Sequence, residues 1–117
     1  MQARVRDRLE HILTAIAAIE TYTSGKQEAD FVTDRLLIDA VERNIERISE
    51  ASRHIPEALK AKYPHLPWRA IAGIGNILRH DYPLTKPVEI WLTVVRDLAA
   101  LKTVVTAMLR DADADRI

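Results

Sequence analysis

Residues 36–52 read Leu36-Leu37-Ile38-Asp39-Ala40-Val41-Glu42-Arg43-Asn44-Ile45-Glu46-Arg47-Ile48-Ser49-Glu50-Ala51-Ser52. Leu37, Val41, Ile45, Ile48 and Ser52 recur at three- and four-residue intervals, the period of one face of an α-helix. Ile38 and the upstream Phe31 lie beside that stripe. Glu42 with Glu46, and Arg43 with Arg47, form charged rows of the kind a solvated helix face carries. The pattern predicts a helix over residues 29–54. Pro56 then ends it, or opens the next helix at its first position.

Working outward, the same period governs both ends of the chain. Val5, Leu9, Ile12, Leu13, Ile16 and Ile19 predict a helix over residues 2–22, stopped by Thr23-Ser24-Gly25 with Gly25 as C-cap. Ile90, Trp91, Val94, Val95, Leu98, Leu101, Val104, Val105 and Met108 predict a helix over 88–111, with residues 111–117 a frayed polar tail. Between them a short helix is expected over 56–62, followed by a loop, because Pro64 and Pro67 remove amide donors. A further helix starts at Pro67 or Trp68 and runs to about Tyr82, with a break over 83–87. No stretch alternates with period two, no hairpin dipeptide occurs, and no internal repeat is visible. The fold class expected is therefore all-α: an antiparallel bundle of about five helices, one domain over residues 1–117. The apolar stripes are wide for three long helices, which favours burial of some surface in a homodimer.

The 117-residue chain has 17 Lys and Arg against 17 Asp and Glu, so bulk charge does not attract it to nucleic acid or to an anionic membrane. With no cysteine it has no disulfide scaffold, thiolate metal site or cysteine nucleophile. Apolar runs are interrupted by charges well short of the roughly 20 residues that span a bilayer, and no secretory leader is visible, so the expected compartment is the cytoplasm. Charge is uneven beneath the zero total. Residues 28–50 hold seven acids and three bases, whereas residues 57–86 hold five bases and two acids.

That basic region contains Ile74-Gly75-Asn76-Ile77-Leu78-Arg79-His80-Asp81-Tyr82. Asn76 and His80 are four apart and share a helix face. An imidazole titrates near neutral pH and can take or return a proton. Asn76 can orient the imidazole or a phosphate oxygen, and the Arg79 guanidinium suits phosphate. The cluster lacks acidic metal ligands, which suits metal-free phosphodiester chemistry. His80 also suits a plain helix C-terminal cap. His11, His54 and His65 have no comparable partners, and His54 reads as a cap at a helix end. No His-x-x-x-His pair supports zinc. Gly73-Ile74-Gly75 follows no strand, so a dinucleotide loop is rejected.

Ile48-Ser49-Glu50-Ala51-Ser52, Ile55-Pro56, the run from Pro67-Trp68 through Asn76-x-x-x-His80-x-Tyr82, and Val88-Glu89-Ile90-Trp91 together resemble the HepT-like family of the HEPN superfamily. The resemblance covers almost the whole chain in order and spacing. It implies a small all-helical toxin of a type VII toxin–antitoxin module: a metal-independent ribonuclease with no cofactor, whose active cleft lies at a homodimer interface. It further implies an antitoxin partner, a minimal MntA-like nucleotidyltransferase that adds AMP units to Tyr82. His80 would be the catalytic acid or base on the RNA substrate, with Asn76 beside it. The family pattern is Arg-Asn-x-x-x-His-x-Tyr, and Gly75 stands where the Arg belongs. Arg79, four residues later on the same face, leans toward that spot and could supply the missing cation. The alternative is a weakened or inactive HEPN dimer that binds nucleotide or its partner.

Overall fold

The computed structural model describes the backbone of residues 3–80 and 86–114 and the side chains of residues 3–75 and 86–112. The described residues form six helices and no strand: α1 (Ala3–Thr23), α2 (Glu28–Val32), α3 (Arg35–Ser52), α4 (Glu57–Lys60), α5 (Trp68–His80) and α6 (Lys86–Ala114). The all-α antiparallel bundle read from the periodicity is the fold.

Three long helices build the core. Leu9, Ile12, Ile16 and Ile19 of α1, Val41, Ile45 and Ile48 of α3, and Leu98, Leu101, Val105 and Met108 of α6 are buried in one apolar cluster. Each such side chain contributes about 1.5–3 kcal/mol on leaving water. At 1.5 Å per residue the 29-residue α6 is about 44 Å long and sets the 49 Å long axis of the molecule. Gly25 stops α1 with a φ of 74°, the left-handed value that glycine adopts without a Cβ penalty.

The helix expected over 29–54 is divided. Asp34 leaves the helical region, and its carboxylate accepts the Leu37 N–H at 3.1 Å, which caps α3. Thr33 turns its hydroxyl back onto the Ala29 carbonyl at 2.8 Å. The break lets α2 swing its one buried residue, Phe31, onto α6, where its ring lies 5.4 Å from that of Trp91. Pro56 sits at the N-cap of α4 rather than at its first helical position. Helix α6 reaches further than expected. Helix α6 continues through Ala114, Ala112 is buried, and Asp111 accepts a hydrogen bond from the Tyr63 hydroxyl at 3.2 Å.

Replacing the α3 cap by Asp34→Ala is expected to lower stability by about 1 kcal/mol, read from the urea midpoint at unchanged slope.

Candidate active site

Helix α5 carries the motif, and its seat is built from three neighbours. At its start, Pro64 and Pro67 shape a loop in which the Trp68 indole N–H donates to the Tyr63 carbonyl at 2.9 Å. The Lys60 ammonium, buried with its aliphatic stem, lies 5.9 Å from the Trp68 ring centroid and 3.6 Å from Glu57. Tyr63 is in turn tied to Asp111 of α6. Burial, and then that hydrogen bond, hold the Tyr63 phenol above its ordinary pKa.

Along its middle, α5 lies antiparallel on α3. The Ser49 hydroxyl donates to the Ala72 carbonyl at 2.7 Å and accepts the Gly75 N–H at 3.3 Å. Arg53 Nε donates to the same carbonyl at 3.0 Å. Glu50 fixes that guanidinium: one carboxylate oxygen is 3.3 Å from Arg53 Nη1 and the other 3.2 Å from His54 Nε2. His54 is thus a partner of Glu50 rather than the helix cap expected of it. The His54 hydrogen bond, with help from the charge of Arg53, holds the Glu50 carboxyl below its ordinary range. Beyond α5, Lys86 opens α6 with a 2.6 Å ion pair to Glu42 of α3, both side chains largely buried.

Helix α5 runs unbroken through His80. Asn76 and His80 are therefore one helical turn apart on a single face, as expected. The side chains of Asn76, Arg79 and His80 lie outside the described residues, as does Tyr82 altogether. Gly75 is buried against Ser49.

Two clefts flank α3. An apolar one of about 310 Å³ lies among α3, residues 65–67, α5 and α6, lined by Ile45, Ile48, Ile71, Ile74, Leu98 and Leu101 among others. The second, about 340 Å³, runs between α1 and α3 past Arg8, His11, Arg43 and Arg47, with Glu46 and Glu50 on its walls. Basic groups thus also gather on a face that the sequence reading, centred on residues 57–86, did not single out. Ser49, Arg53 and the Glu42–Lys86 pair were missed as well. The one available signal was the pair of small serines, Ser49 and Ser52, at the end of the apolar stripe.

The pattern of the ribonuclease HepT-like family matches residues 12–108. A protein of Thermococcus cleftensis named "Probable ribonuclease HepT" is 37% identical over 102 residues, covering 87% of this chain and 93% of that protein. A Methanocaldococcus jannaschii protein named "Gamma-glutamylcyclotransferase and putative RNase" is 36% identical over 116 residues. That match covers 99% of this chain, which spans about half of that relative, 52% of its length. No solved structure matches. The chain belongs to the ribonuclease HepT-like family.

A carboxyl whose pKa is lowered by folding stabilises the fold above its ordinary value near 4.5, and that contribution is lost as pH falls through the lowered value. Glu50→Gln is therefore expected to flatten the fall in melting temperature between about pH 5 and pH 3, measured by circular dichroism.

Proposed function

We propose that the chain is the toxin of a type VII toxin–antitoxin pair: a metal-independent endoribonuclease, working as a homodimer in the cytoplasm and silenced by AMP transfer to Tyr82. The observation that carries this reading is the family match over residues 12–108, which includes the whole Asn76-x-x-x-His80-x-Tyr82 element. The unbroken α5 adds support, because it keeps Asn76 and His80 on one face.

In the proposed reaction a ribose 2′-oxygen attacks the adjacent phosphorus in line. The bond from phosphorus to the 5′-oxygen breaks as the new bond from the 2′-oxygen forms. His80 removes the 2′-hydroxyl proton and a proton returns to the leaving 5′-oxygen. The products carry a 2′,3′-cyclic phosphate and a 5′-hydroxyl. Arg79 and Asn76 hold the phosphate, whose charge grows toward the transition state. In the silencing step the Tyr82 phenol oxygen attacks the α-phosphorus of ATP, the phenol proton passes to solvent, and pyrophosphate leaves. The adenylate, two residues from His80, brings bulk and negative charge that repel RNA. The donor enzyme is a MntA-like nucleotidyltransferase antitoxin.

The second reading is a HEPN dimer without turnover that binds nucleotide or its partner. It is favoured by Gly75, which supplies a buried N–H to Ser49 where the family supplies a cation.

The purified chain is expected to cut RNA in the presence of EDTA and to leave 5′-hydroxyl ends. His80→Ala is expected to slow cutting by about a hundredfold or more, and Arg79→Ala to cost about 10²-fold in kcat. A wild-type protein no faster than His80→Ala establishes the second reading, and equal cutting by Arg79→Ala removes Arg79 from the phosphate site. Mass spectrometry of the chain co-expressed with its nucleotidyltransferase is expected to find AMP on Tyr82; an unmodified Tyr82 in neutralised cells overturns that step.

A further inference from the structure

We infer that Ser49 and Arg53 are positioning residues that set the register of α5, and so the face on which Asn76 and His80 stand. The effect on RNA cutting rests on the ribonuclease reading above; the seating of the helix does not.

The described part of α5, residues 68–75, has little fully buried apolar surface. Among its described side chains, Trp68, Ile71 and Ile74 are only half-buried, Arg69 and Ala70 are exposed, and Gly75 has no side chain to bury. Helices α1, α3 and α6 are located by rows of fully buried Leu, Ile, Val and Met, whose shapes penalise sliding. Along residues 68–75, polar contacts to α3 add the register that the partly buried Trp68, Ile71 and Ile74 do not fix alone.

The Ser49 hydroxyl is suited to it. Ser49 is 1% exposed, so water does not compete for the group. It spends its donor on Ala72 and accepts from Gly75, two backbone groups one turn apart on the same helix. Bonding two points of a cylinder fixes both its translation and its rotation. Arg53 adds a second donor to the Ala72 carbonyl, and Glu50 keeps that guanidinium from swinging away. In a regular α-helix the Ala72 carbonyl is also the acceptor for the Asn76 amide, so the staple grips the turn that leads directly into the motif. A slip of one residue would move α5 by about 1.5 Å and turn it by about 100°, carrying residues 76 and 80 to a different face. Small residues make the contact possible. Ala72 and Gly75 on one helix meet Ser49 on the other, and the Ser52 hydroxyl is turned back onto the Ser49 carbonyl at 2.7 Å.

The test compares Ser49→Ala, Arg53→Gln and Ser49→Thr with wild type, by amide hydrogen exchange and by RNA-cleavage kinetics. Ser49→Ala is expected to speed exchange in α5 about tenfold relative to α1, and to lower kcat about tenfold with KM changed less than about twofold. Ser49→Thr keeps the hydroxyl but adds a methyl at the close contact, and is expected to recover part of both relative to Ser49→Ala. Arg53 is exposed, so Arg53→Gln folds as wild type and is expected to give the same pattern more weakly. Equal acceleration of α1 and α5, or none in α5, overturns the inference. So does an unchanged kcat in both Ser49→Ala and Arg53→Gln when the wild type cuts RNA. A wild type that cuts no RNA overturns the ribonuclease reading instead, and the exchange comparison then decides the seating alone.

Discussion

Helix α3 has to satisfy two neighbours of different chemistry, and the rest of the bundle follows from how it does so. Toward α1 and α6 it presents Val41, Ile45 and Ile48, which lock into the apolar cluster. Toward α5 it presents Ser49, a buried polar group that is tolerated only when bonded. Ser49 and Ser52 find carbonyl acceptors, and the buried Asn44 donates to the Ala40 carbonyl at 2.9 Å. Among the described residues no buried side-chain nitrogen or oxygen lacks a partner. A helix with an apolar face and a bonded polar face can hold a scaffold on one side and a chemically specialised helix on the other.

Much of this architecture was legible in the order of residues. The long helices announced themselves because apolar periodicity directly reflects burial on one face, and Gly25 marked its turn because only a residue without Cβ reverses the chain cheaply there. The division at Thr33-Asp34 was obscured. Phe31 continued the apolar pattern, while the deciding event was a local bond from the Asp34 carboxylate to Leu37. The tail was misjudged for the opposite reason. Residues 111–114 look polar, yet Ala112 is buried and Asp111 reaches back 48 residues in sequence to Tyr63.

The candidate site divided in the same way. Asn76, Arg79, His80 and Tyr82 could be read as a string because their spacing is local. The residues that seat their helix could not, since Ser49 and Arg53 reach Ala72 across separations of 23 and 19 residues. Gly75 changes meaning between the two views. In the string it reads only as a departure from the resemblance; in the fold it is the point where two helix backbones come close enough for a serine to bridge them.

The described part of α5 is held differently from the three long helices of the core. Among the described residues, α5 gives the cluster that holds α1, α3 and α6 together only partly buried side chains, Trp68, Ile71 and Ile74, at its margin. A substitution on α3 that keeps side-chain size but removes a donor is thus felt by α5 before it is felt by the core.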